Sequence, residues 1–156
     1  MTSPDSDHAV LSAPLTVEYP FRRTLGPAQT AFFTGLRERV LLGVRCRDGR
    51  VLCPPAEYDP VTSEELSELV ELGAEGTVTT WSWEPAPRRG QPLDRPFAWA
   101  LVRPDGADTA LLHAVDAGSP EAMTTGMRVR IRWADERVGG LGDIVCYEPA
   151  EGEVGR

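Results

Sequence analysis

Apolar residues recur at two different periods along this chain, and the change of period divides it. Phe32, Leu36 and Val40 stand four apart with Phe33 beside them, which draws one apolar stripe along an amphipathic helix of about four turns. Gly26-Pro27 opens that helix, since proline suits a first helical turn, and Gly43 marks its end, so the helix is expected over residues 26–43. Residues 1–25 ahead of it form a flexible or extended segment, polar to residue 14 and extended in character from Thr16 to Thr24.

From Val44 onward the period is two. Val44-Arg45-Cys46, the Asp48-Gly49 turn and Arg50-Val51-Leu52-Cys53 read as a hairpin, because Asp-Gly supplies the positive φ that a tight turn needs. A second turn at Asp59-Pro60-Val61-Thr62 completes a hairpin module over 44–65, and Leu66, Leu69, Val70 and Leu72 follow. Strands are then expected at Thr77–Trp83, Phe97–Val102, Thr109–Val115, Arg128–Trp133 and Asp143–Tyr147. In Arg128–Trp133 the alternation is strict, with Val129, Ile131 and Trp133 facing a core and three arginines facing water. A Pro-rich loop from Glu84 to Pro96 joins the first two strands, and Gly118–Gly126 has room for a short helix between the third and fourth. Strand-strand-strand-helix-strand-strand is the order of an OB-fold, a small closed barrel. The fold class is therefore mainly β: an N-terminal helix, a hairpin module, a five-stranded OB-fold over 66–149 and a tail over 150–156.

Composition narrows the function. With 156 residues there is length for one main core, and 15 glycines with 14 prolines match a turn-rich β protein. A net charge of −8 opposes a surface built to follow phosphate backbones. Lysine is absent and all 16 basic residues are arginine, a count that genome composition explains as readily as function does. The N-terminus lacks the basic and apolar regions of a signal peptide and no apolar run approaches the roughly 20 residues of a membrane span, so a cytoplasmic protein is expected. Cys46, Cys53 and Cys146 do not make a disulfide framework and are expected to be reduced, although Cys46 and Cys53 have the spacing to face each other across the hairpin.

The hairpin module has the frame of a zinc ribbon with too few ligands. A structural zinc takes four thiolate or imidazole ligands, delivered as two close pairs, and only Cys46 is a good one. The motifs Phe32-Phe33-x-Gly35-Leu36-Arg37, Leu42-Gly43-x-Arg45-Cys46, Gly49-Arg50-Val51 with Pro54-Pro55, Gly76-Thr77-Val78, Gly126-Met127 and Tyr147-Glu148-Pro149 together resemble the OB-fold family with an N-terminal rubredoxin-like zinc ribbon known as domain of unknown function thirty-five. The resemblance covers about residues 30 to 149. It puts Cys46 at the first ligand position and Asp59 and Thr62 where the last pair of cysteines would stand, so the ribbon is expected to be degenerate and zinc-free, held instead by packing on the barrel, the helix or a partner. A cluster of Cys46, Cys53, Asp59 and Tyr58 is the zinc-binding alternative.

What the resemblance implies is a non-catalytic accessory subunit. It would dock on a thiolase-like enzyme of the lipid-transfer-protein type, as a hetero-tetramer, and support acyl-CoA binding and aldol or thiolytic cleavage in steroid or other lipid side-chain degradation. The residues themselves show little chemistry: His8 lies in the polar tail, His113 in an apolar strand, and the carboxylate runs Glu64-Glu65 and Asp135-Glu136 read as solvated faces. No nucleophile elbow or phosphate-binding glycine loop is present. Arg22, Arg23, Arg88, Arg89 and Arg95 are the candidate contacts for coenzyme A phosphates or for partner carboxylates. A single-stranded nucleic-acid-binding OB-fold is the rival reading, disfavoured by the charge.

Overall fold

Helix α1 spans Pro27–Arg37 in a computed structural model that describes residues 13–20 and 22–150. The expectations for His8, for most of the N-terminal segment and for the tail after Ala150 lie outside the described residues. Phe32 and Leu36 bury the inner face of α1, as their spacing predicts. The helix stops earlier than Gly43. Arg39 turns left-handed at φ 62°, its N–H donates to Leu36 O at 3.1 Å, and Val40 N–H reaches Gly35 O at 2.9 Å. That is a Schellman ending with arginine in the place usually taken by glycine. Gly26 offers no capping side chain, and Glu57 does the work from the hairpin module: its carboxylate accepts the N–H groups of Gln29 at 2.9 Å and Ala28 at 3.2 Å.

Three strands follow: β1 at Leu41–Arg45, β2 at Val51–Leu52 and β3 at Leu69–Leu72, forming one sheet ordered β2-β1-β3. Gly43 therefore lies inside β1 rather than at a helix end. A Cβ there would sit 2.8 Å from Leu52 O, so glycine is what lets the hairpin close. β3, expected with the barrel, pairs antiparallel with β1 instead, Leu41 opposite Leu72 and Val44 opposite Leu69. Its apolar residues signalled a strand without signalling a neighbour.

The remaining strands are β4 at Glu75–Glu84, β5 at Phe97–Pro104, β6 at Leu111–Val115, β7 at Arg128–Trp133 and β8 at Ile144–Pro149. They close as β4-β5-β6-β8-β7, with β6 and β8 parallel and every other pair antiparallel. A 3-10 turn at Pro120–Ala122 takes the place of the helix between β6 and β7. This is the OB-fold topology expected from the element order. Val78, Val102, Val115, Val129, Ile144 and Tyr147 fill the interior, and α1 packs on the same core through Phe32 and Leu36. Val129 and Ile131 face inward on β7 as predicted, while Trp133, beyond an irregularity in the β7–β8 ladder, is half-buried.

The hairpin module is clamped to the barrel by polar groups. Val51 exchanges bonds with Asp108, donating to Oδ2 and accepting from N–H, both at 2.8 Å. The Thr109 hydroxyl accepts Cys53 N–H at 2.7 Å and donates to Cys53 O at 3.0 Å.

Candidate functional site

The hairpin module has an internal cation. Cys46 Sγ and carboxylate oxygens of Asp48 and Asp59 all lie within 4.8 Å of one another. Arg50 Nε donates to Asp48 at 2.6 Å and Nη2 to Asp59 at 3.2 Å, which puts a guanidinium between the two carboxylates. Asp59 is buried and also accepts Val61 N–H at 2.7 Å and Thr62 N–H at 3.3 Å, so one carboxylate organises the whole second turn. The Val61 N–H first, then the Cys46 thiol, the Thr62 N–H and the Arg50 charge, hold Asp59 below the usual carboxylate range. Burial pushes the Cys46 thiol up, and its hydrogen bond to Asp59 pushes it further the same way. Cys46 is thus a thiol donor and not a thiolate.

This donor set does not fit a structural zinc. It offers three ligand atoms, one sulfur and two carboxylates, and both carboxylates already neutralise an arginine. Of the three positions that the resemblance assigned as vestigial ligands, Cys46 and Asp59 lie within reach of each other, while Thr62 contacts Asp59 through its backbone N–H, its hydroxyl lying 3.4 Å from Glu64. The Cys46–Cys53–Asp59–Tyr58 cluster does not assemble. Cys46 stands opposite Arg50, Cys53 lies in the main core with its thiol pushed up to about 12 by burial, and Tyr58 is exposed. All three cysteines are free and buried. Asp48 and Arg50 were read as a turn residue and a strand residue; two aspartates around one arginine in a frame short of thiolates were the available signal.

The candidate arginines do not form one group. Arg22 and Arg23 are exposed in the extended lead to α1, and Arg88 and Arg89 are exposed in a tight turn of the β4–β5 loop, where Gln91 N–H donates to Arg88 O at 3.1 Å. Arg95 is not available, because its guanidinium is bonded to Asp116. On the wet face of β7, Arg128 pairs with Glu75 and Asp105, Arg130 with Glu148, and Arg132 with Asp116 and Glu148. That face is electrically closed. Beside α1 an open apolar groove of about 730 Å³ runs past Leu25, Ala31, Val40 and Leu42.

Comparison with known proteins agrees with this architecture. Residues 69–134 match the family model described as ChsH2, C-terminal OB-fold domain. The structure is similar to a chain of the Ltp2-ChsH2(DUF35) aldolase, with a TM-score of 0.61 and 20% identity over 82% of this chain and 98% of that one. It is also similar to a DUF35-family protein of unknown function from Sulfolobus solfataricus, with a TM-score of 0.56 and 25% identity over 68% of this chain and 78% of that one. No curated protein matches the sequence.

Proposed function

We propose that this chain, an OB-fold protein of the DUF35 type, is a non-catalytic accessory subunit that docks on a thiolase-like enzyme and supports acyl-CoA processing there. The observation that carries the reading is the match of the barrel to the ChsH2 C-terminal domain, together with a likeness that runs nearly the full length of a chain from an Ltp2-ChsH2 aldolase. The groups capable of chemistry support it by being spent on structure: His113 and the three cysteines are buried, and burial keeps each in its neutral form. The reaction, aldol or thiolytic cleavage of a lipid or steroid side chain, belongs to the partner.

Arg22, Arg23, Arg88 and Arg89 are the contacts for coenzyme A phosphates or partner carboxylates, since all four are exposed and make no ion pair among the described residues. Arg95, paired with Asp116, drops out of that set. The ribbon works without zinc, its place taken by Arg50 between Asp48 and Asp59. No helix among the described residues is long and apolar enough to cross a membrane, which accords with a cytoplasmic enzyme complex. Paired arginines along β7 favour a protein partner over a single-stranded nucleic acid, whose backbone needs unpaired cations.

Coexpression of the chain with a thiolase-like enzyme from the same genome tests the reading. A mixed complex, of two copies of each chain, is expected on gel filtration. Clean separation of the two at micromolar concentration overturns it. Within such a complex, Arg88→Ala with Arg89→Ala raises KM for acyl-CoA, and an unchanged KM removes the two arginines from the site.

A further inference from the structure

We propose that two copies of this chain exchange their N-terminal arms, residues 15–19 of one copy lying in the open groove beside α1 of the other. The arm and the groove are unpartnered halves of the same chemistry. Leu15, Val17 and Tyr19 recur at the strand period of two and are 87%, 58% and 79% exposed, and no strand among the described residues pairs with them. Thr16 and Glu18 alternate with them, so the extended arm has one apolar edge and one polar edge. The groove of about 730 Å³ has apolar walls in Leu25, Ala31, Val40 and Leu42, with Thr34 and Glu38 along its helical side. Apolar surface left in water on both an arm and a groove is surface that association covers.

Length, connection and charge agree on a second copy. The 11 residues of α1 rise about 16 Å, and the segment Leu15–Tyr19 spans about 16 Å when extended, so one arm runs the length of one helix. Pro20 to Leu25 must carry the arm to its groove. That link contains no Gly, Asn or Asp, and Gly26 enters α1 extended at φ −73° and ψ 175°. The chain therefore lacks the residues for doubling back into its own groove, whose near end is Leu25 itself. Reaching outward is the unstrained course, and arms exchanged between identical chains close about a two-fold axis. With the two α1 helices antiparallel about that axis, the arm leaving the first turn of one helix meets the last turn of the other. Arg22 and Arg23 then pass Glu38 of the second copy, and Tyr19 to Leu15 continue toward its Leu25. The two arginines are exposed and make no ion pair among the described residues, while Glu38 has Arg37 at 3.6 Å with both side chains largely in water. The register that lays apolar on apolar thus brings opposite charges together at the mouth of the groove. An enzyme surface seated in the groove would leave the arm uncovered, whereas exchange covers both.

The test uses the full chain alone, in gel filtration with light scattering from low to high micromolar concentration, with thermal melting of each variant to separate loss of exchange from loss of fold. A species of twice the chain mass is expected at the upper end. Leu15→Ser with Val17→Ser and Tyr19→Ser removes three apolar side chains from each arm and should weaken dimerisation by about a hundredfold or more. Thr34→Arg, which puts a charge into the groove from the exposed side of α1, should dissociate the dimer through the other half of the contact and leave the melt unchanged. Glu38→Arg should weaken it by about two- to fivefold, and adding Arg22→Glu with Arg23→Glu should restore it. A monomer at every concentration overturns the proposal, as does a dimer that ignores the arm and groove variants. So does a monomer whose arm amides are protected from exchange, which would return each arm to its own groove, and so does a groove that becomes protected only in complex with the enzyme. None of these outcomes touches the accessory-subunit reading, which stands on co-purification.

Discussion

The barrel holds its shape by five paired strands closed around apolar side chains, chiefly valine with Ile144 and Tyr147. In the hairpin module β2 is two residues long, and the local apolar cluster is Val44, Cys46, Leu52 and Leu66. What stands in for a core there is a set of particular polar atoms: the Asp59 carboxylate with its donors, the Asp108–Val51 pair and the Thr109 hydroxyl on Cys53. A barrel interior tolerates exchange among apolar residues of similar volume. A hydrogen-bonded module does not tolerate loss of a single acceptor, because each leaves a donor without water or partner.

The sharpest way to break this contrast is to damage each region by its own means. Ile144→Ala opens a cavity in the barrel and should cost about 2–5 kcal/mol in denaturant unfolding, with every amide losing protection together. Thr109→Val keeps the volume but removes both bonds to Cys53, and should cost about 1–3 kcal/mol, with hydrogen exchange accelerating near Cys53 while β4 to β8 stay protected. Equal loss of protection in both regions of the Thr109→Val protein would mean that the module and the barrel are one cooperative unit.

His113 adds a pH dependence confined to the barrel. Burial lowers its pKa, so the unfolded chain, titrating near about 6.5, binds the proton more readily than the folded one. Stability should be full above that value and fall as pH drops from it toward the lowered folded value. His113→Phe should lack this step. The depressed carboxylates Asp59, Asp105 and Asp143 act lower, below the ordinary carboxylate range, and leave the window clear. The smallest effect is expected at the helix end, where Arg39→Gly should stabilise by up to about 1 kcal/mol in thermal or denaturant melts, since glycine takes the left-handed conformation without strain.

These same places mark what the sequence made legible. The barrel strands were readable because strict alternation, as at Arg128–Trp133, reports burial on one face directly. The helix was over-extended because Val40 continues the four-residue spacing while the residue that ends the helix is an arginine, which carries no stop signal. Cys46 and Asp59 were singled out through the resemblance to a ribbon family, and the structure brings their side chains together. Arg50 was missed because its role depends on Asp48 and Asp59 meeting across two turns, and Glu57 because capping α1 requires the module to fold back onto the helix.

The contrast between the two regions rests on the proposal that the ribbon carries its own cation, and metal analysis of the purified full-length chain tests that most directly, combined with thermal melting before and after a chelator. Zinc far below one equivalent and an unchanged melting curve are the predicted results. Stoichiometric zinc, with a melting temperature that falls when the chelator removes it, would contradict the account and return Cys46 to the role of a metal ligand.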